Sequence, residues 1–435
     1  MRQCIWSHGH GIEWLDKGSG NKIYQLRKAL YGLKQASRLW FEEIDTYLRH
    51  IGYTCSQADT NLYTSETSIV ILYVDDILIA SALVLEIART KKLLNQKYQM
   101  KDLGQVRQFL GLEIDFGDGW VSLNQSRFIA IVLELFGMTR CNGIATPMEP
   151  IAQLRAALSS CTASSGVGSS SNQQSTSNAA VLSQLNPEDQ RRYQGIVGSL
   201  MYLAVASRPD LAFTVSILSK FNAAANSEHM VAAKRALRYI RYTMDLGIQY
   251  TKATGSTNTA LHGYSDANCA GDMEDRKSTT GYLFLVSNGA VSWQARKQSI
   301  VALSTTEVEY VACSEACREA VALRRIYEDL KNVQVRTGKA NNPSPSSLPA
   351  TMILVDNQSA ISLVQNPRFH HRTKHIELKY HYVHEIYQSH LIDIDYVSTQ
   401  LMTADLLTKP LTRELHWRYT KGMGMVGSMH ELGTC

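Results

Sequence analysis

The sequence predicts an α/β protein built in more than one block. Three observations carry that prediction. Short β-branched runs such as Ile69 to Tyr73 and Thr351 to Val355 alternate with longer stretches of helical period such as Thr305 to Leu330. Turn-forming residues separate them, Gly117-Asp118-Gly119 most clearly, because glycine accepts positive φ. Between Ala156 and Ala180 the composition shifts to Ser, Gly, Asn, Gln and Thr, which cannot build a core and reads as a flexible linker.

Taken in order, residues 1–22 follow no period and pattern begins near Ile23. Leu30 to Ile51 has helical spacing, with Leu39, Trp40, Ile44, Tyr47, Leu48 and Ile51 as the expected buried stripe. Ile69–Tyr73 and Ile77–Ala80 read as a tight hairpin around Asp75-Asp76, Leu85–Tyr98 as a helix, and Phe109–Ile114 and Trp120–Leu123 as strands. After the linker, Asp189–Ala206, Pro209–Phe221 and Glu228–Tyr242 read as three helices, the last basic through Lys234, Arg235, Arg238 and Arg241. Strands follow at Leu261–Ser265, Thr280–Ser287 and Ala290–Gln294, then the long helix Thr305–Leu330 and a Pro-containing loop to Pro349. Thr351–Val355 and Ile392–Val397 read as strands enclosing helices at Gln358–Leu363 and Lys379–Gln388.

The chain has 435 residues, 44% hydrophobic and 19% charged, which suits ordinary cores and excludes a wholly disordered chain. No apolar stretch approaches the ~18 residues of a membrane span, and the best, Ile69 to Val74, runs into Asp75 and Asp76, so no membrane partner is expected. The start, with His8 and His10, shows no apolar signal-peptide core. A net charge of +5 permits a nucleic-acid partner without demanding one. The eight cysteines form no CxxC pair, which points to a reducing compartment.

Four acids stand where chemistry can be built. Asp266 and Asp356 are expected at strand ends, Glu309 in a helix, and Asp405 just after a loop. Converging carboxylates can hold two Mg²⁺ ions through oxygen and support phosphodiester hydrolysis. Spacing alone equally allows four ordinary solvated acids among thirty-nine. Asp75-Asp76 at a hairpin tip can likewise be a metal-binding pair or an acidic β-turn. His370, His371, His375, His381 and His384 match no common zinc spacing; with Arg368, Arg372, Lys374 and Lys379 they suit a phosphate-backbone contact or a solvated face.

The strings around these acids add weight. Gly263-Tyr264-Ser265-Asp266-Ala267, Arg276 to Tyr282, Ser304 to Tyr310, Val355 to Ala360, Arg372 to Ile376 and Ala404 to Pro410 resemble, in order, the ribonuclease H domain of copia-type LTR retrotransposons. Leu30 to Trp40, Ala58 to Tyr63, Leu72 to Ala80, Met100 to Gly104 and Phe109 to Ile114 resemble the reverse transcriptase of the same family, and Gly198 to Leu203 and Arg208-Pro209-Asp210 resemble its connection. Cys269 and Met402 stand where the family usually has Trp and Gln.

That resemblance implies a partial reverse transcriptase palm region, a helical connection and a ribonuclease H-like α/β domain with a mixed sheet. The corresponding layout is an unmatched N-terminus at 1–22, a truncated reverse transcriptase at 23–150, a linker at 151–188, the connection at 189–254, the ribonuclease H-like domain at 255–412 and a tail at 413–435. It implies Asp266, Glu309, Asp356 and Asp405 as one metal-binding acid set and Asp75 and Asp76 as another, with Mg²⁺ (or Mn²⁺) as cofactor. Gly32, Lys34 and Gln35 would face the nucleotide and template, and Arg276, Lys277, Arg372, Lys374 and His375 the nucleic acid. Implied partners are an RNA–DNA hybrid, an RNA template with DNA primer, and other parts of the polyprotein, in the cytoplasm or in virus-like particles. The family palm needs a further Asp on an earlier strand, and Asp16 in Trp-Leu-Asp-Lys-Gly does not match it. Polymerase activity is therefore expected to be absent while hybrid cleavage is retained. The alternative is a non-catalytic remnant that binds nucleic acid through Lys234 to Arg241.

Overall fold

The computed structural model describes residues 12–15, 23–26, 33–98, 100–149, 184–252, 260–269, 271, 276–300, 302, 304–335, 348–366 and 377–427. Residues 151–183 of the expected linker, with Gly32, Arg372, Lys374 and His375, lie outside the described residues, and the last residues of that expected linker, from Pro187, already belong to a helix. Packing divides the chain into two units, Met1–Val106 with Ala322–Leu348, and Arg107–Val321 with Pro349–Cys435. The division at Val106 falls inside the expected 23–150 block; the expected connection, the tail and most of the ribonuclease H-like block fall in the second unit, while Ala322–Leu348 of that block falls in the first.

In the first unit, β1 (Ile12–Leu15) and β2 (Ile23–Leu26) form a two-stranded antiparallel pair. Helix α1 (Ala36–His50) is followed by an antiparallel sheet in the order β3 (Thr54–Cys55), β4 (Leu62–Thr64), β5 (Ser68–Tyr73) and β6 (Asp76–Ser81), then by α2 (Val84–Tyr98). Alternation along β5 sends Ser68, Val70 and Leu72 inward against Ile44 and Leu48 of α1 and Leu94 of α2. Burying each such aliphatic side chain is worth about 1.5–3 kcal/mol. Leu39, expected in the buried stripe, is 47% exposed. It lies five residues before Ile44, about 140° around the helix at 3.6 residues per turn, so the core reaches one face and misses it.

The second unit opens with a strand read correctly in content and wrongly in continuity. Phe109 to Ile114 is two strands, β7 (Gln108–Phe109) and β8 (Leu112–Gly117), turned by Leu110 (φ 51°) and Gly111 (φ 80°). The Tyr202 hydroxyl donates to Leu110 O at 3.1 Å, and a Cβ at Gly111 would come 2.2 Å from that hydroxyl. A residue far along the chain thus holds a leucine in the left-handed region, which no local pattern announces. Then come β9 (Trp120–Asn124), the unexpected helix α3 (Ser126–Leu135), and α4 (Pro187–Ala206), whose start is fixed by the Asn186 side chain accepting from Glu188 and Asp189 N–H. A 3₁₀ turn at Pro209–Leu211 leads into α5 (Ala212–Ser219), and α6 (Ser227–Tyr242) opens on a capping box between Asn226 and His229.

Three arginines of α6 are engaged within the fold. Arg238 donates to Asn142 O at 2.8 Å, Arg241 to Thr139 O at 3.0 Å, and Arg235 pairs with Glu149 at 2.9 Å. These arginines tie down the segment after α3, while Lys234 of the same helix is exposed.

Strand β10 (Gly247–Thr251) joins β9 and β8 in an antiparallel sheet. The second sheet of this unit runs β13 (Gly289–Lys297), β12 (Thr279–Val286), β11 (His262–Asn268), β14 (Thr351–Val355) and β15 (Ile392–Tyr396). Its first three strands are antiparallel, and β14 and β15 add in parallel, so the sheet is mixed as expected. Helix α7 (Thr305–Val335) follows β13, and α8 (Gln358–Gln365) and α9 (Glu377–Gln388) lie between β14 and β15.

The described part of the stretch expected as a tail, 413–427, packs into this core. Two 3₁₀ turns (Thr399–Leu401 and Thr403–Leu407) lead to α10 (Arg413–Gly422) and β16 (Met425–Val426), which pairs with β10. A buried network fastens α10. Arg208 forks onto Asp210 at 2.9 and 2.7 Å and donates to Thr243 O at 2.9 Å. Tyr239 donates to Asp210 at 2.7 Å and meets His416 Nε2 of α10 at 2.9 Å. Burial holds the His416 imidazole down at about 4, so it is neutral at pH 7. Trp293 of β13 donates to Ala204 O of α4 at 2.7 Å, joining the helices to the mixed sheet.

Candidate metal centre and its relatives

Sheet register assembles the site. β11 and β14 run parallel with Ser265 opposite Val355, so Asp266 and Asp356 follow side by side. Asp266 lies within β11 rather than at its end, and Asp356 directly follows β14. Glu309 comes from the start of α7, where Ser304 Oγ accepts from Glu307 N–H at 3.2 Å. Ligating oxygens of Asp266, Glu309 and Asp356 lie within 4.8 Å of one another. Glu307 does not join the group.

Asp405, buried in the 3₁₀ turn Thr403–Leu407, stands beside Asp266 but is outside that group of three. Its Oδ1 is 2.7 Å from Lys409 Nζ. Thr399 donates to Asp356 Oδ2 at 2.8 Å, and Thr408 donates to Asp266 Oδ2.

The electrostatics follow from burial and like charge. Burial, then the charges of Asp266 and Asp356, push Glu309 up to about 10. Burial raises Asp266 against the pull of Lys409 and the Thr408 hydroxyl. Burial and Asp266 raise Asp405 to about 7. Burial works against the Lys409 ammonium, yet Asp266 and Asp405 outweigh it and keep the group charged. Without added cation the site therefore holds protons in place of positive charge. Glu309 Oε2 is buried with no hydrogen-bond partner. Three clustered hard oxygen donors, one of them unpaired, fit a divalent cation of the Mg²⁺ or Mn²⁺ kind.

The hairpin acids are placed differently. Asp75 and Asp76 are exposed at the β5–β6 turn, where Tyr73 pairs with Asp76. Val74 is held at φ 51°, and Trp40 Nε1 donates to its carbonyl at 2.5 Å. That is a strained position for a β-branched residue. Among the described residues no group of three ligating side chains includes either acid. Lys34 and Gln35 are exposed just before α1. Arg276, exposed at φ 56°, and half-buried Lys277 precede β12. The supporting residues Thr399, Thr408 and Lys409 were not singled out from sequence. Thr408 and Lys409 lie in the Ala404 to Pro410 string, whereas Thr399 carries no local signal.

Residues 10–150 match the family described as reverse transcriptase (RNA-dependent DNA polymerase). The chain is 35% identical over 403 residues to the retrovirus-related Pol polyprotein from transposon TNT 1-94 of Nicotiana tabacum, covering 91% of this chain and 28% of that protein. It therefore spans little more than a quarter of that relative's length. It is 30% identical over 303 residues to the putative transposon Ty5-1 protein YCL074W of Saccharomyces cerevisiae, covering 68% of this chain and 89% of that one. Among solved structures, LC11-RNase H1 in complex with RNA/DNA hybrid is similar at 11% identity and a TM-score of 0.23, over 34% of this chain and 93% of that one. With the reverse transcriptase match and a curated relative covered nearly end to end, the chain belongs to the copia-type retrotransposon Pol family.

Proposed function

We propose that this chain is a reverse transcriptase/ribonuclease H fragment that hydrolyses the RNA strand of RNA–DNA hybrids and does not polymerise DNA. The observation that carries the reading is the convergence of Asp266, Glu309 and Asp356 within 4.8 Å. Bound there, Mg²⁺ (or Mn²⁺) would supply the Lewis acidity that activates water and steadies a leaving 3′ oxygen. Asp266 and Asp356 would hold the ions from adjacent parallel strands, and Glu309 from α7. Asp405 would complete the set once freed from Lys409, whose ammonium meanwhile balances the negative charge. Arg276 and Lys277 would contact the phosphate backbone, as would Arg372, Lys374 and His375; hybrid recognition would rest on backbone and 2′-hydroxyl contacts. The reading that polymerase activity is absent is supported by the exposed Asp75 and Asp76, which gather no third ligand among the described residues. The place of action would be the cytoplasm or a virus-like particle, beside other parts of the polyprotein. No described helix is long and apolar enough to cross a membrane.

The test is cleavage of a labelled RNA–DNA hybrid by the full chain with Mg²⁺, with Asp266→Asn as control. Cleavage that survives Asp266→Asn would remove the acid cluster from the chemistry. Primer extension is the companion measurement, and dNTP incorporation abolished by Asp75→Asn would overturn the polymerase half of the proposal.

A further inference from the structure

We propose that Thr408 is a positioning residue for the metal centre, fixing the Asp266 carboxylate in its ligating orientation, with Thr399 acting in the same way on Asp356. The inference rests on the nuclease reading and adds residues that the acid set does not include. A lone carboxylate can rotate about its side-chain torsions, and a hydroxyl donor on one oxygen removes that freedom while leaving lone pairs for a cation.

The structure builds a seat for this hydroxyl. Thr408 is fully buried. Its hydroxyl donates to Asp266 Oδ2, and its carbonyl accepts from Asn268 Nδ2 at 3.3 Å, so β11 holds it at two points. Gly281 lies opposite Asp266 in the β11–β12 register. A Cβ there would stand 2.6 Å from Thr408 Cγ2 and 2.9 Å from Leu407 Cβ. Only a residue without a side chain lets the segment carrying Thr408 lie on the sheet at this point. The same segment carries Asp405, so one close approach sets both an acid and the hydroxyl that orients its neighbour.

The Asp356 clamp is built from the other end. Thr399 donates to Asp356 Oδ2 at 2.8 Å, and the Thr399 carbonyl accepts from the Tyr419 hydroxyl of α10 at 3.1 Å. Thr399 is exposed, so water competes for its bond, and its contribution is the smaller of the two. The C-terminal helix thereby reaches the metal centre through one backbone carbonyl.

The experiment measures Mn²⁺ binding to the full chain by calorimetry, without nucleic acid, alongside hybrid cleavage as a function of Mg²⁺. Thr408→Val keeps shape and removes the hydroxyl; it is expected to weaken Mn²⁺ binding by about tenfold. It should also raise the Mg²⁺ needed for half-maximal cleavage, with cleavage recovering at high Mg²⁺. Thr408→Ser restores the hydroxyl and is expected to restore both. Thr399→Val, at an exposed position that does not threaten folding, is expected to weaken binding a few-fold and decides the matter if Thr408→Val fails to fold. Wild-type Mn²⁺ affinity in folded Thr408→Val, or in Thr399→Val where Thr408→Val is unfolded, would overturn the proposal. A wild-type chain that binds Mn²⁺ and cleaves no hybrid would sink the nuclease reading alone, with the affinity differences still testing the clamps. A wild-type chain that binds no Mn²⁺ would overturn both.

Discussion

The hairpin acids and the sheet acids make the instructive pair. Asp75 and Asp76 are neighbours in sequence, sit at a pinned turn in solvent, and gather no third ligand among the described residues. Asp266, Glu309 and Asp356 come from positions spread over ninety residues, and their oxygens meet within 4.8 Å. The hairpin acids are the sharper local string, yet the sheet acids make the better-formed centre. A metal centre requires charge converging from separate elements with little water between, and proximity in sequence does not provide that.

The largest expected effect tests this contrast directly. Asp266→Asn should lower hybrid cleavage roughly a hundredfold or more, since a metal-bound centre supplies several kcal/mol to the transition state. Asp75→Asn should leave cleavage within about twofold, as expected of an exposed surface substitution. Equal losses from both would erase the distinction between the two regions.

Stability should separate the regions next. Asp210→Ala strands the Arg208 guanidinium in a fully buried site and is expected to cost about 3–5 kcal/mol in urea unfolding of the full chain. Cutting the exposed Arg38–Glu42 pair of the first unit should leave unfolding unchanged. The same network bears on where the chain can be cut. Removing residues before 255 would delete β10, Trp293's acceptor on α4, and the partners of His416, so a fragment starting there should unfold readily in a thermal melt.

Proton linkage gives a third effect, spread over several pH units. Glu309 rises to about 10 in the fold, above its unfolded value near 4.3, so between those values the native state binds the extra proton. Its stabilising contribution is complete below the unfolded value and declines as pH rises toward 10. Cation-free stability should therefore fall from pH 6 to 9, by at most about 1.4 kcal/mol per pH unit for each proton, and Glu309→Gln should flatten that slope. Mn²⁺ binding in the same range should release protons and strengthen with pH. A slope unaltered by Glu309→Gln would show that this carboxyl is ionised throughout.

The smallest effect is electrostatic. Arg276→Ala should weaken hybrid binding a few-fold and reduce the salt dependence of log K by about one. Loss of cleavage without loss of binding would place Arg276 in the chemistry instead.

Much of this was legible in the sequence because the relevant constraints were local. β5, β6, α2 and β14 were recovered within a residue or two, since alternation and helical period record which face is buried. All four proposed acids were named, through the strings that surround them. What was missed depended on distant partners. Leu110 turns a strand because Tyr202 holds it, and polar α10 becomes core because His416 meets Tyr239. The basic residues of α6 looked free because the carbonyls they satisfy lie about a hundred residues upstream.

By itself the sequence determined the kind of elements and the family and named the candidate acids, because periodicity and motif residues are written along the chain. Only the tertiary structure decided which acids come together, that Asp405 pairs with Lys409 beside Asp266, and that Thr408 and Thr399 bond two of the others. The physical reason is that pairing register and close approach, such as the 404–408 segment lying on Gly281, are properties of two segments at once. No window of a single segment can contain them.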